Sequence, residues 1–198
     1  MASSVEDLIE RIRVLEDDLE EVFEQRRTEF AYELKNRRVV FEQAARKRHR
    51  ELRTRLLTYL KGARLAVVLT APVIYAGIVP FVLLDLFVSL YQAVCFPVYR
   101  IARVPRGDYI AFDRHALAYL NGLEKLNCLY CSYANGLIAW TREIAARTEQ
   151  YWCPIKHARK LDGVHTRYAG FVDYGDAERY REGLRELRAR LEAERPAG

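Results

Sequence analysis

The stretch LAVVLTAPVIYAGIVPFVLLDLFVSLYQAVCFPVY, residues 65–99, decides how this chain can fold, because it holds one charged side chain, Asp85. A membrane-spanning helix needs about 20 apolar residues, since each residue rises about 1.5 Å through a hydrocarbon core about 30 Å thick. Residues 65–84 meet that requirement without any charge. A run of this length predicts a membrane segment. The alternative is a soluble helical bundle with a very apolar centre.

Three membrane arrangements fit this stretch. Residues 86–99 form a helix of about 21 Å at most, too short to cross alone. The chain can make a hairpin that turns near Gly77–Pro80, a single crossing followed by an interfacial helix, or a shallow loop. The flanks favour the hairpin, because Lys and Arg crowd both sides of the stretch and such residues collect on the cytoplasmic side. We expect the inner (cytoplasmic) membrane, with both termini cytoplasmic.

Charge and hydropathy are segregated along the rest of the chain. The 198 residues are 51% hydrophobic and 30% charged, with the charged residues concentrated towards the two ends. This pattern predicts an all-α membrane protein. Asp85 is expected to be neutral or paired if it lies deep, because a bare carboxylate in hydrocarbon is costly. The predicted regions are an N-terminal arm over 1–64, the membrane segment 65–99, a helical cytoplasmic domain with the cysteines over 100–170, and an amphipathic helix over 171–198.

The N-terminal arm has helical periodicity from Val5 to Leu60, and its first apolar positions alternate by three and four residues, as in a coiled coil. Such a helix needs a partner. The candidates are the amphipathic segment 176–194 of the same chain, a second copy in a homo-oligomer, or a helical partner protein. The basic run RKRHRELRTR, residues 46–55, predicts contact with anionic lipid headgroups rather than nucleic acid, since it directly precedes the apolar stretch.

Cysteine spacing offers one candidate for chemistry. Cys128, Cys131, Cys153 and His157 follow the pattern C-x2-C-x21-C-x3-H. Zinc takes such Cys3His sets tetrahedrally, and an iron–sulfur cluster is the other user of these ligands. The four can meet in one chain only if Asn135–Gly136 breaks the helix between them. An antiparallel dimer is the other way to assemble the set.

Other interpretations of the same residues remain open. Cys153 precedes a proline and is predicted to cap a helix, where the helix dipole and His157 would make it a reactive or redox thiol. The three cysteines of this set can equally be small core residues with no bound metal. His115 or His165 can replace His157 as a ligand. Asp113 is predicted to cap a helix that starts at the next residue.

The run EKLNCLYCSYANGLIAW, followed by TREIAARTEQYWCPIKHA, resembles a family of uncharacterised bacterial membrane-associated proteins, over residues 113–158. The resemblance implies no activity, but it supports treating the three cysteines and His157 as one constellation. We expect a membrane-anchored scaffold or adaptor with a structural or redox metal site. A thiol- or metal-dependent oxidoreductase and a metal-free coiled-coil tether are the alternatives, so whether the chain is an enzyme stays open.

Overall fold

The computed structural model describes residues 5–35 and 38–195, and within the first helix it describes the side chains of Arg11 and of residues 14 onward. The chain is predominantly helical, which confirms the predicted class in outline, with one small sheet added. The helices are α1 Val5–Glu29, α2 Gln43–Glu51, α3 Leu56–Lys61, α4 Leu65–Ala76, α5 Ile78–Val98, α6 Gly122–Trp152 and α7 Ala177–Ala193; the strands are β1 Tyr32–Lys35 and β2 Arg38–Phe41.

The chain divides into two compact units. The N-terminal unit comprises the residues up to 63 together with 113–126, and the C-terminal unit comprises 64–112 together with the residues from 127 onward. The division differs from the sequence-based regions, because the segment after the apolar stretch contributes to both units. Sequence order alone does not reveal that residues 113–126 belong with the N-terminal unit.

The N-terminal unit does not contain the single long helix predicted from Val5 to Leu60. Helix α1 ends at Glu29, and Ala31 takes a left-handed backbone conformation with φ of 51°. Strands β1 and β2 then pair antiparallel, with Tyr32 opposite Phe41. Their ring centroids lie 5.4 Å apart. Aromatic and β-branched residues favour extended pairing, and here that preference outweighs the helical spacing of the apolar positions.

Helix α1 carries its ion pairs within itself. Arg27 contacts Glu24 at 2.5 Å and Glu20 at 3.1 Å. Its described apolar residues stay exposed, including Leu15 and Leu19. The seam predicted to begin at Val5 lies partly outside the described side chains.

The C-terminal unit is built on two helices, α5 and α6, that run in the same direction. Contacts advance in the same direction along both helices: Asp85 of α5 bonds to Tyr133 of α6, and Tyr91 bonds to Thr148. The bond of Tyr75 in α4 to Asn127, and the stacking of Tyr99 just after α5 on Tyr151, continue this order at the two ends. Residues 99–112 return between the two helices in largely extended form. They supply several of the buried core residues, among them Ile101, Val104 and Ile110.

An extended segment outside a sheet must find other partners for its backbone polar groups. The Val104 N–H donates to Gln92 Oε1 at 2.6 Å, and the indole Nε1–H of Trp140 donates to the Val104 carbonyl at 3.0 Å. Arg147 donates to the Ala102 carbonyl at 2.8 Å. Side chains from both helices therefore supply hydrogen bonds that neighbouring strands would supply in a sheet.

Helix α7 closes the C-terminal unit. Its Asp176 cap accepts from the Arg179 N–H, and its apolar stripe, Leu184, Leu187 and Leu191, is buried. Gln150 of α6 donates to the Leu187 carbonyl at 2.9 Å. The stripe is thus covered inside its own unit, and its candidate pairing with the N-terminal arm stays a prediction.

A network of charges ties the last turn of α7 to α6. Arg167 contacts Glu194 through two hydrogen bonds of 2.8 Å and Glu143 through one of 3.0 Å. The hydrogen bonds from Arg167 and the positive charge nearby hold the pKa of Glu194 below its usual range, against the opposing effect of burial. The pair stays ionised near neutral pH and fixes the C-terminal end of α7.

Candidate functional site

Helices α4 and α5 give the C-terminal unit an exposed apolar surface, which water surrounds in the isolated chain. Within the described residues, Leu65–Val98 is the one helical stretch long and apolar enough to span a membrane. At 1.5 Å per residue, its 34 residues measure about 51 Å. Leu86 and Leu90 are 64% and 65% exposed. No side chain of α4 is buried.

Helices α4 and α5 meet at Gly77 without turning back. Gly77 has φ of −57° and ψ of −16°, so the helical direction continues into α5 and through Pro80. The predicted turn near Gly77–Pro80 is therefore not present, and the hairpin is not confirmed. A proline in the first turn of α5 costs no hydrogen bond of its own, which explains why it does not reverse the chain.

The joint at Gly77 has a packing reason. A Cβ added there would lie 2.6 Å from the hydroxyl of Tyr130 on α6. That hydroxyl donates to the Ile74 carbonyl at 2.7 Å. Glycine thus lets α6 approach and satisfy a carbonyl next to the joint, which is how interrupted helices are tolerated in lipid.

Asp85 lies on the inner face of α5 and is 9% exposed. It accepts two hydrogen bonds from Arg106 of the return segment, at 2.7 and 2.5 Å, and one from the Tyr133 hydroxyl at 2.8 Å. Burial, together with the bond to Asp85, raises the pKa of Tyr133, so the phenol keeps the proton it donates. Arg106 also lies over the ring of Trp140, 5.7 Å from its centroid. Asp85 is thus paired, as expected for a deep carboxylate.

This cluster has a positioning role. It joins α5, the return segment and α6 at one point, and the fork of Arg106 matches a carboxylate bidentately. Sequence reasoning identified Asp85 but missed Arg106 and Tyr133. The available signal was weak: Arg106 is one of several arginines after the apolar stretch, and all were assigned to the topology of the flank.

The cysteines predicted to bind a metal do not converge. Helix α6 is unbroken from Gly122 to Trp152, so Asn135–Gly136 is not the expected break. Cys131 lies within α6 and Cys153 just beyond its end, 22 residues apart in sequence, about 33 Å along a helix. The described residues hold no group of three His, Cys, Asp or Glu side chains able to share a metal. Of the two ways to assemble the set, only the two-chain one suits this helix.

Gly136 is required where the sequence suggested a break. A Cβ at this position would lie 2.6 Å from the Tyr109 carbonyl oxygen and 2.9 Å from Ile110 Cα. The return segment therefore presses its backbone against α6 here. Glycine serves close approach in this helix, and the helix continues through it.

Cys153 is exposed and does not cap a helix. It follows Trp152, and its neighbours Pro154 and Ile155 lead into a short parallel bridge to Val172. Cys128 is half-buried and Cys131 exposed on α6. The helix-dipole argument for a reactive Cys153 is therefore wrong, because α6 ends just before it and no helix begins there.

The histidines have other surroundings. The His157 N–H donates to the Tyr168 hydroxyl at 2.6 Å, and the two rings stack. His165 Nε2 lies 2.9 Å from a Glu149 carboxylate oxygen. His115 belongs to a short 3-10 turn, Arg114–Ala116, in place of the predicted helix, and Asp113 makes no side-chain cap there.

Comparison with known proteins adds no functional assignment: no protein-family model, curated protein or solved structure matches this chain. The resemblance of residues 113–158 to bacterial membrane-associated proteins therefore stays a prediction.

Proposed function

We propose that this chain is a membrane-anchored scaffold or adaptor, with Leu65–Val98 embedded in lipid. The exposed apolar face of α4 and α5 carries the proposal. Many large apolar side chains of these two helices are about half to three quarters exposed, and a bilayer would remove them from water together. The return segment supports this placement, since irregular backbone is tolerated at membrane depth where protein side chains satisfy it.

The direction of the helices constrains how the anchor lies. Because α6 runs parallel to α5, a full crossing by Leu65–Val98 would leave α7 on the opposite side from the N-terminal end of α4. Termini on one side require instead that the helix enter from the cytoplasmic face and lie along that leaflet. We favour this arrangement, because the basic residues before Leu65 and after Val98 are both suited to anionic headgroups of the inner membrane.

Liposome flotation of the purified full chain tests the anchor. Leu86→Arg with Leu90→Arg places two charges on the exposed apolar face, which opposes its burial among lipid chains in either arrangement. We expect the wild type to float and this variant to float at least tenfold less. Leu15→Arg with Leu19→Arg is the matched control, because these two leucines of α1 are 65% and 52% exposed. A wild type that stays in solution without detergent contradicts the proposal.

Thiol labelling tests the arrangement. A chain that keeps Cys153 as its sole cysteine is treated with a membrane-impermeant maleimide, in intact spheroplasts and in inverted vesicles. Cys153 is exposed and follows α6, so it reports the side on which the C-terminal unit lies. We expect labelling only in inverted vesicles. Labelling from outside the cell would favour a full crossing.

The scaffold role rests on α1. We propose that its exposed apolar residues pack against a second copy of this chain, since a helix with such a stripe needs a partner. A helical partner protein is the alternative. Light scattering of the detergent-solubilised chain should give a multiple of 23.1 kDa after subtraction of the micelle. The variant Leu15→Arg with Leu19→Arg should be monomeric, whereas a wild-type monomer would favour the partner protein.

The metal part of the sequence hypothesis then becomes a property of the oligomer. Zinc or an iron–sulfur cluster held by Cys128, Cys131, Cys153 and His157 requires two antiparallel copies. Metal analysis of the oligomeric fraction, with its visible spectrum, tests this. One metal or cluster per site, lost together in Cys131→Ser and in Cys153→Ser, would support the shared site. Loss in only one of the variants would remove the four-ligand set.

A further inference from the structure

The N-terminal unit contains a groove of about 590 Å³ with an unusual charge balance. Its wall is formed by residues of β2, by residues of α2 together with Arg53, and by residues between 115 and 125. Five basic side chains line it: Arg46, Arg50, Arg53, His115 and Lys125. Among the residues that the structure describes, the lining includes no Asp or Glu.

The four Lys and Arg side chains of the groove have no ion-pair partner among the described residues. The nearest acidic residue in sequence to Lys125 is Glu124, and its carboxylate accepts the Asn121 N–H at 2.8 Å. The Glu124 carboxylate is thereby part of the cap at the start of α6. The side-chain oxygen of Asn121 completes this cap by accepting from the N–H groups of Leu123 and Glu124. Like charges close together without a counter-charge repel one another, so an anion bound in the groove would lower this electrostatic repulsion.

Local structure explains how the arginines come together. Arg46, Arg50 and Arg53 follow the spacing i, i+4 and i+7, which puts them on one face of α2 and its last turn. The Arg53 N–H bonds back to the Arg50 carbonyl at 3.3 Å, which extends the turn. Guanidinium forks on one face suit the tetrahedral oxygens of phosphate.

A histidine holds the two walls of the groove together. The His49 ring packs edge-on against Phe41 of β2, with centroids 5.0 Å apart, and against Tyr119, at 5.1 Å. Segments that are more than sixty residues apart in sequence are thereby fixed side by side. Lys125 and His115 come from the second segment, so the groove is a tertiary feature and not simply a basic run.

We infer that this groove is a binding site for a phosphate group. The ligand carries the phosphate either as the headgroup of an anionic lipid or as a small soluble phosphate ester. The lipid form refines the headgroup contact of the proposed function, whereas the soluble form does not depend on it. The site is more specific than a basic flank, because it combines α2 with residues that follow the apolar stretch.

Titration calorimetry of the full chain in an uncharged detergent tests the site. The probes are phosphatidylglycerol in mixed micelles, glycerol 3-phosphate, and a single-stranded oligonucleotide. Arg46→Gln with Arg50→Gln removes two charges from the groove. Lys47→Gln with Arg48→Gln removes two charges from the same helix outside the lining, and is the matched control.

We expect the groove variant to bind phosphatidylglycerol or glycerol 3-phosphate at least tenfold more weakly than the wild type, and the control to lie within twofold. If the groove variant weakens the binding of phosphatidylglycerol alone, the groove is a site for lipid headgroups. If it weakens the binding of both probes, a soluble phosphate ester is sufficient as the ligand. Equal weakening in both variants, no binding of either phosphate probe, or tighter groove-dependent binding of the oligonucleotide would overturn the inference.

Failure of this site and failure of the anchor are distinguishable. The groove variant keeps Leu65–Val98 intact, so it should still float with liposomes of neutral phosphatidylcholine. A chain that floats without any groove-dependent binding refutes the phosphate site alone. A chain that binds glycerol 3-phosphate through the groove but does not float refutes the anchor alone.

Discussion

Replacing Gly136 by alanine has two opposing effects on the stability of the fold: it raises the helix propensity of α6, and it crowds the return segment. In an exposed helix interior, glycine to alanine stabilises by about 1 kcal/mol. At Gly136 the new Cβ would meet the Tyr109 carbonyl oxygen at 2.6 Å and Ile110 Cα at 2.9 Å. Both neighbours are backbone atoms, so relief requires the return segment to move.

The magnitude follows from these contacts. Overpacking in a close-packed interior costs about 1–3 kcal/mol, and backbone neighbours put this site at the upper end. After the gain of about 1 kcal/mol in helix propensity, we expect Gly136→Ala to lower the free energy of unfolding by about 2 kcal/mol. For a chain of this size that corresponds to a decrease in Tm of about 4–8 °C.

The assay is thermal and urea unfolding in one detergent, followed by circular dichroism. Ala139→Gly is the companion variant, because Ala139 is exposed on the same helix and reports the propensity effect by itself. We expect that variant to lose about 1 kcal/mol. If Gly136→Ala is as stable as the wild type or more stable, α6 does not pack against residues 109–110, and the arrangement of the return segment is wrong.

Two further predictions concern the contacts that close the C-terminal unit. Trp140→Phe removes the indole donor to the buried Val104 carbonyl and leaves it unpaired, so we expect a loss of about 1–3 kcal/mol in urea unfolding, and an unchanged stability would contradict the contact. The depressed pKa of Glu194 means that its pairing with Arg167 stabilises the fold above the ordinary pKa of a glutamate, about 4.3, and is lost as pH falls through the native value. The wild type should therefore be more stable than Glu194→Gln at pH 7, with the difference shrinking towards pH 3; a difference that does not change with pH would refute the pairing.

The sequence by itself determined the apolar helix. A run of thirty-five residues with one charge specifies helical, lipid-compatible backbone wherever it lies, because hydrogen bonding within the segment is independent of the rest of the fold. The predominance of helix and the amphipathic stripe of α7 follow from the same periodicity. Pairing of Asp85 was also expected, because burial of an isolated charge is too costly for any fold.

The partners of these elements were decided by tertiary structure. The sequence indicates that a deep Asp85 is neutral or paired, but only packing selects Arg106 from the arginines that follow. Gly136 looks like a break until a second segment is seen pressed against it, and the four-ligand set of Cys and His looks possible within one chain until α6 is seen to continue. The groove is the same kind of case, because Lys125 joins Arg46 only through contacts between distant segments. Local propensity fixes the state of each segment, whereas close packing between segments far apart in sequence fixes which of them meet.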